Sequence, residues 1–492
     1  MNPTPFLRVL FAASEAHPIV KTGGLADVAE GLPAALSRRG LDVRVVLPAY
    51  RGWRDTVGVV RELATVRVLE RSFVVHEARD AHRTLWLLDC PELFDRPGTP
   101  YENEHGQAWP DNGIRFGLFA RAVARLATEA AATGFAPDVV HANDWHTGLV
   151  MPWLREHAPR PAGVFTIHNL AYQGVFPAAE ARALQLPASW WHLDGVEYHG
   201  ELSHLKAGIA YADAVTTVSP THAHEIQRPE FGFGLDGLLR ARSERVHGIL
   251  NGIDEHTWNP ATDPHLAARY DAGSIDSGKQ VNRAALCREL GLADARGALL
   301  VGVIARFAHQ KGADLLPAAF AAVRGLPLQF AVLGRGEPAM QQALAAWAAA
   351  QPGQVALRIA HDEALAHRIL AGADIFLMPS RYEPCGLTQM YSQRYGTVPV
   401  VRRTGGLVDT VTDATPEALR DGSATGVQFA DADAEGIAWG LRRALDLRAS
   451  EHWRALQQAG MRRHFSWDRA AGAYVDLYRS LAGSAGPRSR AA

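Results

Sequence analysis

At 492 residues the chain exceeds what one ordinary hydrophobic core supports, so two or three domains are expected. Hydrophobic residues make up 47% and charged residues 21%, the balance of a globular protein, and a net charge of −2 argues against a general nucleic-acid binder while leaving room for local basic pockets for phosphates. Cys90, Cys287 and Cys385 are odd in number and far apart, so no disulfide framework or zinc pattern follows from them, and no apolar run reaches the roughly 18 residues of a membrane span. A cytoplasmic protein is expected.

Residues 6–13 read as a first strand. Arg8 interrupts the apolar stretch and no basic leader precedes it, which argues against a signal core. The turn Lys21-Thr22-Gly23-Gly24-Leu25 follows. Leu25, Val28, Leu32 and Leu36 then recur at helical spacing, with Gly40 as a stop. Pro33 inside that pattern predicts a kink or a break. Residues 43–47 form the next strand, 116–132 a helix, Val139 and Val140 a buried strand end, and 163–167 another strand.

A charged stretch at 240–249, just before Asn251-Gly252-Ile253-Asp254, marks the domain boundary. Beyond it, strands at 299–304, 328–333, 355–359, 375–378 and 397–401 alternate with helical stretches. Strands alternating with helices imply parallel sheets covered by helices on both faces. The tail from Gly483, rich in Gly, Ser, Ala and Arg, reads as disordered.

The residues of chemical interest cluster after strands, where open α/β sheets bind ligands. In the run Ser380 to Gln389, Glu383, Pro384 and Gly386 occupy such a turn, and a carboxylate there suits a polyhydroxy substrate. Thr404-Gly405-Gly406-Leu407 is a second glycine turn of this kind. Arg306 and Lys311, followed by Gly312, place two cations beyond a strand, which suits a diphosphate, although a solvated loop reads the same way. In the Lys21 turn, glycines permit backbone approach and a helix N-terminus favours anions.

His141-Ala142-Asn143-Asp144-Trp145-His146 lacks the spacing of a zinc helix and a third ligand, so polar substrate contacts are favoured over a metal. His168, in Thr166-Ile167-His168-Asn169-Leu170, holds the same strand-end position. Asp431-Ala432-Asp433 matches the Asp-x-Asp pattern of metal-dependent sugar transferases, but the helical stretch that follows makes helix capping the better reading. Gly334-Arg335-Gly336-Glu337-Pro338-Ala339 nominally fits a dinucleotide fingerprint, with Asp362 somewhat beyond the acidic position. It is read as a nucleotide-facing loop or a helix start.

Together these motifs, with His168 to Gly174, Asn251 to Asp254 and Gln310-Lys311-Gly312, resemble the bacterial-type glycogen synthase family, relatives of plant starch synthases, over residues 8–481. The resemblance implies an α/β fold of GT-B architecture, two Rossmann-like doubly wound domains facing across a deep cleft. Residues 1–245 would form the acceptor side and 246–473 the nucleotide-sugar side. Residues 474–482 would form a helix crossing back to the first domain, and 483–492 a disordered tail.

The implied reaction transfers glucose from ADP-glucose to the nonreducing-end 4-hydroxyl of an α-1,4-glucan, glycogen or a maltooligosaccharide. Configuration would be retained, with no metal and no cofactor; ADP-glucose is a substrate, and neither nucleic acid nor membrane is an implied partner. By the same resemblance Glu383, His168, Asp144, Arg306 and Lys311 would be catalytic. Lys21, Gly23, Gly24, Asn251, His361, Cys385, Gly386, Leu387 and Thr388 would join Arg306 and Lys311 around the donor. Asp27, Tyr101, Asn169 and Gln173 would lie on the acceptor side.

Departures from the family pattern fall at His361, where relatives commonly carry a tyrosine that stacks on adenine, at Asn143, in place of a frequent histidine, and at Ala308. Tyr391 stands where some related transferases carry a second glutamate. The alternatives are a retaining transferase using UDP-glucose or another acceptor, a noncatalytic glucan-binding protein, and a nucleotide-dependent oxidoreductase motivated by Gly334 to Ala339. Against the last, the first βα turn lacks the fingerprint.

Overall fold

The computed structural model describes residues 6–80, 82–295 and 297–484. The chain divides into two compact units, Met1–Gly252 together with Trp467–Ala492, and Ile253–Ser466.

Unit one is built on a nine-stranded sheet. Its strands are β1 (Arg8–Ala12), β2 (Asp42–Pro48), β3 (Val60–Val68), β4 (Arg71–Arg79), β5 (Thr84–Asp89), β6 (Val139–Asn143) and β7 (Ala162–Ile167), then, after the small antiparallel set β8 (Val175–Pro177), β9 (Glu197–Tyr198) and β10 (Glu201–Ser203), β11 (Ala214–Thr217) and β12 (Val246–Gly248). The order is β12-β11-β7-β6-β1-β2-β5-β4-β3. β6 and β7 are buried along their whole length, as the inner strands of a helix-covered parallel sheet must be. β3 and β4 form an antiparallel hairpin at one edge.

The helix Gly24–Arg38 runs unbroken through Pro33, contrary to the expected kink or break. Proline at 33 deprives the Ala29 carbonyl of its helical donor, and the Arg83 guanidinium supplies one instead at 3.1 Å. Gly40, with φ +86°, ends the helix by donating to the Ser37 carbonyl. The next long helix spans Asn112–Thr128, one turn before the expected 116–132.

The chain returns to unit one through the helix Trp467–Ser484. Trp467 lies against Gly31, where a Cβ would come within 2.0 Å of the indole nitrogen. Tyr474 and Tyr478 are buried, and the Tyr478 hydroxyl lies 2.6 Å from His141 Nδ1. The expected limit of the first domain at 245 falls one residue before β12, which pairs in parallel with β11 and carries unit one on to Gly252. The return helix starts at Trp467, ahead of the expected 474. Residues 483–484 are its last, whereas the rest of the expected disordered tail, 485–492, lies outside the described residues.

Unit two holds a six-stranded, wholly parallel sheet of β13 (Leu299–Ile304), β14 (Leu328–Gly334), β15 (Val355–Ile359), β16 (Ile375–Met378), β17 (Val398–Arg402) and β18 (Val427–Phe429). Its order is β15-β14-β13-β16-β17-β18. Asp433 caps the helix Ala434–Arg448 by accepting from Gly436 N at 2.8 Å, the capping role expected of the Asp-x-Asp run.

Candidate active site

In both sheets the strand order reverses at one place, and there the loops leaving two adjacent parallel strands diverge and open a crevice. In unit two the reversal lies between β13 and β16. Lys311 comes from the loop after β13 and Glu383 from the turn after β16. Lys311 Nζ donates to both carboxylate oxygens of Glu383, at 2.9 and 2.7 Å. The Glu383 side chain is only 5% exposed, and the Ser380 hydroxyl donates to its Oε2 at 2.9 Å.

The two loops are laced together. Arg381 N donates to the Gln310 carbonyl at 2.8 Å. Gly312, with φ +67°, sits where a Cβ would come within 2.2 Å of the Pro379 carbonyl oxygen, so only glycine allows the approach. Arg306 stands exposed on the same loop as Lys311, after β13. Phe307 N donates to the Arg335 carbonyl, and Glu337 N to the Phe307 carbonyl, at 2.9 and 2.8 Å. The glycine pattern at 334–336 thus braces the Arg306 loop. Asp362, the acid that a dinucleotide fingerprint would need on a ribose, instead caps the helix Glu363–Gly372 through Leu365 N. His361, one residue earlier, is exposed in the loop after β15.

The turn after Glu383 is fixed by backbone contacts. Gly406 N donates to the Glu383 carbonyl at 3.1 Å, and a Cβ on Gly406 would lie 2.3 Å from the Cys385 carbonyl oxygen. Gln389 Nε2 donates to the carbonyls of Cys385 and Gly386 and to Thr410 Oγ1. Gly386, Leu387 and Thr388 lead into the helix Thr388–Arg394. Tyr391 on that helix stacks on Trp258 at 4.0 Å, a packing contact.

In unit one the reversal lies between β1 and β6. Asp144, just past β6, has φ 56° and ψ 178°, a region nearly reserved for glycine, which costs on the order of 1–3 kcal/mol. It is held there from both ends. Its own amide donates to the Thr166 carbonyl at 2.9 Å, and its carboxylate accepts from His168 N at 2.8 Å and from the amide of Asn169. Burial pushes its carboxyl up to about 7.

The His168 ring lies 2.9 Å from Asn143 Oδ1 through Nε2. Asn143 Nδ2 donates to the Ala12 carbonyl at 2.9 Å, so its oxygen accepts and the histidine donates. Burial lowers His168 to about 3, which keeps the ring neutral and leaves it no proton of ordinary acidity to give. Asn143, noted in the sequence only as a departure, thus orients His168.

Lys21 pairs with Asp27 at 2.7 Å on the exposed turn before the helix Gly24–Arg38. Thr22 N and Gly23 N donate to Glu15 Oε2 at 2.5 and 3.0 Å. Tyr101 donates to Glu15 Oε1 at 2.5 Å. The sequence reading passed over Glu15, although it follows β1 as Asp144 follows β6. Asn251 is buried, its amide 3.4 Å from the Val218 carbonyl.

Gln173 donates to the Phe233 carbonyl at 2.8 Å and lines an open concavity of about 540 Å³ with Trp145, Tyr172, Phe176 and Phe233. His141 and His146 are not the polar substrate contacts expected of them. Both are buried, His141 between Tyr478 and Thr166 and His146 stacked on Tyr101. Among the described residues no group of three His, Cys, Asp or Glu side chains is placed to hold a metal ion.

Comparison with known proteins finds a match for each half of the chain. A family model described as the starch synthase catalytic domain matches residues 8–241, and one described as glycosyl transferases group 1 matches residues 294–463. The chain is 48% identical over 481 residues to glycogen synthase 1 of Methylococcus capsulatus, covering 97% of each chain. It is 49% identical to the glycogen synthase of Thioalkalivibrio sulfidiphilus, covering 96% of this chain and 100% of that one. Among solved structures, the catalytic domain of starch synthase IV from Arabidopsis thaliana, bound to ADP and acarbose, matches with a TM-score of 0.88 at 33% identity, covering 97% of this chain and 100% of that one.

Proposed function

The chain belongs to the glycogen and starch synthase family of GT-B glycosyltransferases, and from that premise we propose how its residues divide the work. It elongates an α-1,4-glucan by transferring glucose from a nucleotide sugar to the 4-hydroxyl of a nonreducing end, with retention of configuration. We assign ADP-glucose as the donor and glycogen or a maltooligosaccharide as the acceptor. No cofactor enters the reaction, and we place the protein in the cytoplasm.

One observation carries this reading: Lys311 in a two-point pair with the buried Glu383 at the strand reversal of unit two. Breaking the glucosyl–phosphate bond builds positive charge on the sugar and negative charge on the departing ADP. Preorganised cations lower that barrier. We assign Lys311 and the exposed Arg306 to the diphosphate, and we assign the exposed Lys21 turn of unit one to donor binding as well. Glu383 takes sugar hydroxyls, and Gly386, Leu387 and Thr388 line the approach.

The bond from glucose C1 to the phosphate oxygen breaks as the bond from C1 to the acceptor O4 forms on the same face. The acceptor proton passes to the departing phosphate oxygen. The neutral His168 ring donates no proton in this scheme; its main-chain carbonyl lies by the anomeric carbon, and ionised Asp144 orients the sugar. Retention through a covalent enzyme intermediate calls for two carboxylates about 5–5.5 Å apart; Glu383 instead shares its carboxylate with Lys311 and Ser380. The aromatic concavity beside Gln173 gives the glucan apolar faces for its sugar rings. The reading is tested by supplying ADP-glucose and glycogen and assaying ADP release together with new glucan that an exo-acting α-1,4-specific amylase removes. ADP released without such glucan would refute it.

A further inference from the structure

Glu15 lies three residues past the end of β1, is 4% exposed, and has no ion-pair partner within 4 Å among the described residues. Both of its carboxylate oxygens are engaged. Oε2 accepts the amides of Thr22 and Gly23 at 2.5 and 3.0 Å. Oε1 accepts the Tyr101 hydroxyl, whose oxygen lies 2.8 Å from Ser14 Oγ. The Tyr50 hydroxyl donates to the Ser14 carbonyl at 2.8 Å and closes the buried set.

Two consecutive amides converging on one oxygen form a small anion nest, and the chain fills this nest with its own carboxylate. Two things follow for the turn. The Thr22 and Gly23 amides are already committed, so an incoming diphosphate meets Lys21 and the first turn of the helix beginning at Gly24. The space above Gly23 is empty: a Cβ there would meet no atom within 4 Å, although Gly23 has φ −149°, which any residue adopts. The loop is thus shaped from below by Glu15 and left open above.

We propose that Glu15 is a positioning residue for donor binding: it acts through the backbone of Thr22 and Gly23 to hold the Lys21 turn in its ligand-receiving form. This rests on the assignment of that turn to the ADP-glucose site. The role is one of hydrogen-bond acceptance. A glutamine serves nearly as well, because its amide oxygen accepts both amides while its NH₂ donates to the tyrosine oxygen.

The test compares Glu15→Gln, Glu15→Leu, Tyr101→Phe and Lys21→Ala in steady-state kinetics with ADP-glucose and glycogen, alongside thermal unfolding. Glu15→Leu raises KM for ADP-glucose about tenfold or more, the scale of losing a charge-assisted hydrogen bond. KM for glycogen stays within about twofold, and Glu15→Gln stays within about threefold of wild type for both, small beside that loss. If Glu15→Leu fails to fold, Tyr101→Phe must still raise KM for ADP-glucose more than KM for glycogen.

Unchanged donor KM in Glu15→Leu, or equal losses for both substrates, would overturn the proposal. So would a Tyr101→Phe enzyme with no donor defect when the leucine variant does not fold. Lys21→Ala separates the two levels. If it leaves donor KM unchanged, the assignment of the turn itself fails; if it raises donor KM while Glu15→Leu does not, only the role of Glu15 fails.

Discussion

Lys311 Nζ reaches both oxygens of Glu383, at 2.9 and 2.7 Å, from a loop on the other side of the strand reversal in unit two. On the proposed assignment, the cation for the diphosphate and the acid for the sugar hydroxyls stand within one hydrogen bond of each other. The Glu383 carboxylate is nearly buried, so removing either partner leaves the other poorly compensated. Lys311→Ala and Glu383→Ala are each predicted to lower kcat roughly 10²–10³-fold while the protein still folds, the scale of losing one preorganised electrostatic contact. Initial rates of glucose transfer to glycogen, with circular dichroism as the folding check, decide this; near-normal turnover in both variants would remove the pair from the mechanism.

Asp144 gives a prediction in pH. Its carboxyl titrates at about 7 in the fold because burial disfavours the charged form. The unfolded value is about 3.9, so between those two pH values the folded chain holds a proton that the unfolded chain has released. Stability contributed by this group therefore falls as pH rises through the window, and the full penalty is present above pH 7. Asp144→Asn cannot ionise and is predicted to melt higher than wild type at pH 8 but not at pH 4. Wild-type turnover should fall as pH drops through about 7, and the asparagine variant should be slow throughout. A variant that melts no higher than wild type at pH 8 would contradict the buried-charge account.

Gly23 is a glycine without a conformational reason. Its backbone is extended, and no atom stands where a Cβ would be. Gly23→Ala is accordingly predicted to leave the melting temperature unchanged while raising KM for ADP-glucose severalfold, since the methyl enters space kept for the ligand. Unaltered donor kinetics would mean that the ligand does not pass over this residue.

Gly406 and Cys385 touch, yet substitutions at the two should differ sharply. A Cβ on Gly406 would lie 2.3 and 2.5 Å from the Cys385 carbonyl oxygen and Cα, both backbone atoms that cannot rotate away. Gly406→Ala must therefore push the Glu383 turn and is predicted to abolish most activity. Cys385→Ser exchanges a buried thiol to which the proposed mechanism gives no chemistry, and should cost little. Complete loss of activity in the serine variant would assign the thiol chemistry instead.

Much of this was legible in the sequence because buried parallel strands read as uninterrupted apolar runs. The runs at 299–304 and 375–378 coincide with β13 and β16. The β3–β4 hairpin was missed because it lies at a sheet edge, where Arg61, Glu62, Arg67, Arg71 and Glu77 interrupt the pattern. Pro33 misled because the group that satisfies the orphaned Ala29 carbonyl, Arg83, lies on another part of the chain. The two histidines on either side of Asp144 read as polar substrate contacts. Spacing alone does not reveal that His141 turns into the last helix, through Tyr478, or that His146 lies under Tyr101. Glu15 was overlooked for the same reason, since its meaning depends on Tyr101, far along the chain.

The most direct measurement is the rate of glucose transfer to glycogen from ADP-glucose and from UDP-glucose, run side by side for the wild-type protein and Lys311→Ala. The account predicts glucan from ADP-glucose, much less from UDP-glucose, and a loss of roughly 10²-fold or more in the variant. Polymer formed only from UDP-glucose, or a variant as fast as wild type, would contradict it.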